Sequence, residues 1–239
     1  MRRWHELVRH ASTPSSCAAL NCPLRPPHRS EIHELPSIEL QPFQVKEVLK
    51  VLMHSIIFQR ALGNYRFKDS ESELFDVPYV RCDSRQIDLR VEEHAEAFAK
   101  AANVEPGGEP EHVQVCISFF ERRSRPGAFG LFRSEERVIW ERWYIRLSVQ
   151  LPPQSGPGGE TERWRRQQEL DGAIRRQLEV ILLTAGSKKE HIPPASGLGG
   201  DDSAQWFELV SSAPEVKSGL DIFKQLLSSP PSLVNARGL

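Results

Sequence analysis

The sequence predicts an α+β domain in which an antiparallel sheet packs on three helices. Two observations point to the sheet. Val113-Gln-Val-Cys-Ile-Ser-Phe119 and Trp143-Tyr-Ile-Arg-Leu-Ser-Val-Gln-Leu151 are apolar at every odd position, the period-two pattern of strands with one face on a core and one in water. The third observation is a helix. Apolar residues fall at Val45, Val48, Leu49, Leu52, Met53, Ile56 and Ile57, while Val51, Phe58 and Leu62 fill most of the opposite side. A helix apolar nearly all round belongs at the centre of a fold.

Taken in order, residues 1–35 read as a disordered, proline-rich tail with no sustained period from which to build a core face. Cys17, Cys22, His28 and His33 are metal-capable. Only five residues separate Cys22 from His28, however, where finger-type zinc sites place about twelve. Ser37–Gln41 alternates as a short strand, and Pro42 suits the first position of the buried helix, which Gly63-Asn64 should end. His54 on that helix reads as a satisfied core histidine, because no second ligand lies near it in sequence.

Glu73–Arg81 reads as a strand that Pro78 confines to an edge or a bulge. Asp83 or Ser84 can cap a second helix with a stripe at Ile87, Val91, Ala95, Phe98 and Ala102. The acids on its other face, Asp88, Glu92, Glu93 and Glu96, have no nucleophile or base clustered with them and read as a solvated face. After Leu151 a Pro/Gly linker leads to a third helix opened by Thr161, with Leu170, Ile174, Leu178, Ile181, Leu182 and Ala185 inward. Gln205–Ser211 makes a final strand, 219–227 has helical spacing, and 228–239 reads as a disordered tail.

Between the two alternating strands lies Glu121–Ser134, too long for a tight turn. It carries Arg122, Arg123, Arg125 and Arg133, with Arg137 just beyond, and three large apolar residues, Phe129, Leu131 and Phe132. Apolar side chains advertised on a charged stem are costly to leave in water, so this loop should touch a partner.

Composition narrows the function classes. Net charge is −1, so no whole-protein field draws the chain to nucleic acid, and no aromatic platform interleaves with the arginines of the third helix. Residues 66–112 hold twelve acids against six bases and 121–185 nine against twelve, which polarises the surface. Four cysteines make no disulfide framework and suit a reducing compartment. There is no apolar run long enough to span a bilayer. No nucleophile elbow, zinc helix, nucleotide loop or calcium loop is present, and no cofactor is implied. The informative residues are apolar and exposed, which favours binding over catalysis.

Four stretches taken together resemble a known family: Val45–Gly63, Glu73–Cys82, Ile139–Leu147 and His191–Pro194. Their order is similar to that of HORMA-domain proteins, in particular the autophagy-related protein 101 family, over residues 36–227. The resemblance implies a non-catalytic cytoplasmic adaptor at the phagophore assembly site. It would pair with the HORMA domain of autophagy-related protein 13 within the autophagy-initiation kinase complex. The family's central loop is a finger whose Trp and Phe recruit downstream factors. Aligned on Trp140-Glu-Arg-Trp143, the finger Phe falls on Phe132 and the Trp on Leu131, a departure that leaves Phe129 to serve as the second aromatic. The alternatives are a checkpoint-type HORMA module that traps a peptide under a mobile C-terminal segment, and an enzyme of unrecognised type.

Overall fold

The computed structural model describes residues 30–61, 65–102, 110–126, 133–151, 159–193 and 206–212. In chain order the elements are β1 (Glu31–Glu34), β2 (Ile38–Leu40), a 3-10 turn (Pro42–Gln44) and α1 (Val45–Gln59). Next come β3 (Phe67–Glu71), β4 (Pro78–Cys82) and α2 (Arg85–Ala101). The chain continues through β5 (Glu111–Pro126), β6 (Arg133–Val149), α3 (Gly159–Ser187) and β7 (Phe207–Ser212). This is the α+β, HORMA-type arrangement of a sheet on three helices.

The main sheet runs β1-β6-β5-β7, with β2 also on β6, and β3–β4 form a separate hairpin. The β5–β6 and β5–β7 pairs are antiparallel, as the sequence predicts, but β1 and β2 run parallel to β6. The sheet is therefore mixed. Alternation records which face a residue takes and carries no information about strand direction, which the long-range connections set.

Helix α1 is central. Val45, Val48, Leu49, Val51, Leu52, Ile56 and Ile57 are all fully buried, and the helix packs on α2, α3 and β4. On β6 the odd residues Trp143, Ile145, Leu147 and Val149 face inward as their spacing requires. His54 is a core histidine: it is buried, stacks on Tyr79, and desolvation lowers its pKa to about 4.

Several boundaries differ from the sequence reading. Strand β1 lies inside the stretch assigned to the tail. His33 and Leu35 are buried there because β1 finds β6 as a partner 110 residues away, a pairing with no local signature. The chain bends over Glu73–Asp76, so the strand begins only at Pro78, the position where a missing N–H is harmless. Its partner β3 was not foreseen, since Phe67–Glu71 is a polar, largely exposed strand without inward apolar residues. Helix α1 ends at Gln59, ahead of the expected Gly63-Asn64 stop, which lies outside the described residues, as do residues 1–29, the 219–227 segment and the 228–239 tail.

Candidate functional site

The stretch expected to be a loop is mostly strand. The β5–β6 ladder continues from Glu111↔Val149 to Pro126↔Arg133, so only residues 127–132 lie between the strands. Strand β7 reaches no farther along β5 than Phe119, and β1 starts opposite Glu141. Beyond those points, among the described residues, β5 and β6 have only each other as strand partners. They form a two-stranded ribbon about 20 Å long at ~3.3 Å per residue.

Each predicted site residue can be placed on this ribbon. Phe129, Leu131 and Phe132 lie outside the described residues. Arg122 and Arg123 are exposed on β5, and Arg123 pairs with Glu121. Arg125 and Arg133 hold ladder positions opposite Ser134 and Pro126, their side chains lying outside the described part. Arg137 sits over the Phe120 ring, 5.1 Å from its centroid.

At the other end of the same strands the structure assembles a cluster that sequence reasoning missed. The ladder register shifts between Phe119 and Phe120, leaving Trp140 as the extra residue of a bulge. Trp140 and Glu141 are then both buried, Glu141 completely. Its carboxylate accepts from Arg60 Nε at 2.7 and 2.9 Å, from His191 Nε2 at 2.6 Å, and from the Trp143 indole N–H. The Arg60 guanidinium also donates to the carbonyls of Ala185 (3.1 Å) and Lys188 (3.3 Å). It thereby caps the last turn of α3, where exposed carbonyls attract positive charge. His33 Nε2 stands 3.5 Å from the same carboxylate, without a hydrogen bond. Burial pulls the His33 pKa below its ordinary value, against the opposing influence of Glu141.

His33, Glu141 and His191 bring ligand-type atoms within 4.8 Å of one another. They do not suit a divalent cation, because both carboxylate oxygens already accept strong donors and one of these is a guanidinium. The Arg60 charge against the same carboxylate opposes a second positive charge in a buried place. The chemistry of the cluster is that of an ion-pair clasp joining α1, β6 and the end of α3.

The acidic face of α2 is less solvated than the sequence implied. Lys46 reaches Glu92 at 2.6 Å, Lys50 reaches Glu92 at 3.4 Å, and Arg81 pairs with Asp88. Lys50, Arg81, Asp88 and Glu92 help to line a cleft of about 430 Å³ between α1, α2 and the β3–β4 hairpin. Ser70 in its lining accepts from Arg81 Nε at 2.8 Å, and two of its three lysine and arginine side chains, Lys50 and Arg81, are paired with acids. These pairings offset part of the acidic charge of the cleft.

One local signal does mark the clasp. Glu141 stands at an odd position of a strand whose other odd positions are Trp143, Ile145 and Leu147, so a carboxylate points into the core and requires a buried cation. Which cation is not readable locally, because Arg60 and His191 are 81 and 50 residues away.

Three of the four stretches that carry the family resemblance meet at this carboxylate: Arg60 from the first, Glu141 and Trp143 from the third, His191 from the fourth. Comparison with known proteins agrees. Residues 37–197 match the family described as Autophagy-related protein 101. Autophagy-related protein 101 of Arabidopsis thaliana is 32% identical over 221 residues, 85% of this chain and 98% of that protein. The proteins of the same name from Xenopus laevis and Homo sapiens are 25% and 23% identical over 134 residues, about half of this chain and 57% of each relative. Among the described residues no helix is long and apolar enough to cross a membrane. With two-thirds of its length matched, and its buried clasp built from the stretches that mark the resemblance, the chain belongs to the Autophagy-related protein 101 family.

Proposed function

We propose that this chain is a non-catalytic adaptor of the autophagy-initiation kinase complex. Its HORMA domain pairs with that of autophagy-related protein 13 and stabilises it. The apolar tip, Phe129, Leu131 and Phe132, then recruits downstream factors, with Arg122, Arg123, Arg125 and Arg133 as supporting basic contacts. The working location is the cytoplasm, at the phagophore assembly site. Family membership supports the autophagy role. The single observation that carries the recruiting arm is the β5–β6 ladder, which continues beyond its bulge to Pro126↔Arg133, past the end of every other strand among the described residues. The ribbon's two strands flank residues 127–132, and burial of each large apolar side chain there against a partner contributes about 1.5–3 kcal/mol to a contact. Two or three such residues give a weak, reversible interaction, suited to assembly that must be undone.

Co-expression with the partner HORMA domain tests the pairing: the two should co-purify as a heterodimer, and their separation would remove the reading. Phe129→Asp with Phe132→Asp tests the arm. The double variant should keep its melting temperature and its HORMA partner while losing the downstream proteins in a pull-down. A fall in stability would mean that the tip packs inward.

A further inference from the structure

The ribbon leaves the main sheet at one defined place. The rung nearest the ribbon that β7 shares with β5 is Phe119↔Phe207, and the corresponding rung of β1 with β6 is Glu31↔Glu141. The register shift falls at that exit, between Phe119 and Phe120, with Trp140 as the extra residue. A bulge bends its strand and increases the local twist, so it re-aims the stretch of strand beyond it. A two-stranded ribbon is marginal in water by itself, and what its root packs against has to set its direction.

The extra residue is not left in water: Trp140 is only 3% exposed. Its indole meets two rings, Phe119 at 5.5 Å between centroids and His191 at 5.7 Å. Each of these is held in turn. Phe119 stacks on Trp206 at 5.7 Å, and the Trp206 indole N–H donates to the Tyr65 hydroxyl at 3.1 Å. His191 is hydrogen-bonded to the buried Glu141 carboxylate at 2.6 Å. One row of rings, Tyr65, Trp206, Phe119, Trp140 and His191, therefore crosses the root. It grips the bulge through the residue before β7 and the segment after α3. Phe120, the next residue of β5, is buried as well, and its N–H donates to the Trp206 carbonyl at 3.0 Å. A smaller side chain at 140 would keep the extra backbone residue but lose the ring contacts on both sides and open a void at the bend.

We propose that Trp140 is the positioning residue of the recruiting arm: its contacts with Phe119 and His191 lock the bulge and so fix the direction in which the β5–β6 ribbon continues from the sheet. This assignment rests on the reading of the ribbon as a recruiting arm and adds what aims it. Trp140 is buried and acts through the ribbon, without touching a recruited protein. An arm already set in one direction meets its partner without the loss of freedom that ordering a swinging arm would cost on binding.

Spin-label distances in the full chain test this role. Nitroxides at Arg123→Cys on the ribbon and Leu89→Cys on α2 report the ribbon's direction, while Leu89→Cys with Leu183→Cys on α3 reports the body; all three sites are exposed. Cys17, Cys22, Cys82 and Cys116 are replaced by alanine in every labelled chain. The ribbon distance should form one narrow distribution. Trp140→Leu should broaden or shift it while the body distance stays as it was, and Trp140→Phe should restore it. In pull-downs with unlabelled chains, Trp140→Leu should keep the HORMA partner. It should weaken recovery of the same downstream proteins that Phe129→Asp with Phe132→Asp loses, and Trp140→Phe should regain them.

A broad ribbon distribution with Trp140 intact overturns the proposal without any substitution at 140, so a Trp140→Leu chain that fails to fold does not shelter it. A ribbon distance that Trp140→Leu leaves unchanged, or a body distance that broadens equally, makes Trp140 a core-filling residue and overturns it. Undiminished recovery of the downstream proteins after the ribbon distance has broadened does the same. The distances are read without any partner. If the tip variant keeps its downstream proteins, the arm reading fails, while the distances still report whether Trp140 aims the ribbon.

Discussion

The two ends of the β5–β6 pair use charge in opposite ways. At the root, Glu141 is fully buried and shared among Trp143 of its own strand and two groups far away in sequence, Arg60 and His191. On the ribbon, Glu121 and Arg123 pair within a single strand, at 22% and 43% side-chain exposure. The Coulomb attraction of a pair grows as water is removed, but so does the cost of leaving either partner alone. A buried pair therefore commits three elements to one arrangement, whereas an exposed pair within one strand ties no elements together. One pair of strands thus carries both a fixed anchor and a solvent-exposed ribbon.

The comparison breaks most directly at Glu141. Glu141→Gln leaves the Arg60 guanidinium buried without its counter-charge and should cost about 3–5 kcal/mol, read from the midpoint of urea unfolding. Replacing both partners, Arg60→Met with Glu141→Leu, should cost less than the single change, because no orphan charge remains. A single-variant loss below about 1 kcal/mol would put the root in the same class as the ribbon.

Acid provides the next largest effect, because the buried core also shelters two histidines. Burial lowers the folded pKa of both His33 and His54, the latter from 6.5 to about 4. A histidine with a depressed folded pKa takes up its proton first in the unfolded chain. Its contribution is complete above about pH 6.5 and declines as pH falls toward 4. For His54 the decline amounts to about 3 kcal/mol. The chain should therefore lose stability across that interval, and His54→Leu should flatten the curve measured by urea unfolding at successive pH values. An unchanged slope would mean that His54 titrates as freely as a surface histidine.

Trp143→Phe keeps the ring in the core and removes the N–H that Glu141 accepts, so it should cost about 1–2 kcal/mol in the same urea assay. Arg123→Ala on the ribbon should change stability by no more than about 0.5 kcal/mol, since exposed ion pairs contribute little. A loss as large as that of Trp143→Phe would show the ribbon to be held by its salt bridges and would erase the contrast.

Much of the ribbon was readable locally. The charged stem and apolar residues of 121–134 set this stretch apart in the sequence, but its continuation as paired strands was missed because Arg122 to Arg125 carry no inward apolar alternation. Cross-strand pairing holds them extended instead. The clasp was half readable: Glu141 advertises a buried charge, and Arg60 ends an apolar helix, yet neither residue names the other.

By itself the sequence determined the faces. Period-two spacing put Val113, Val115, Ile117, Trp143, Ile145 and Leu147 inward, and helical spacing buried α1, because both patterns act through neighbours along the chain. Only the tertiary structure decided strand direction, the capture of His33 and Leu35 by β6, the ribbon's reach past every other strand among the described residues, and the meeting of Arg60, Glu141 and His191. Those outcomes depend on contacts between residues tens to more than a hundred positions apart, where the loss of chain entropy and the gain from burial are settled together and leave no periodic trace.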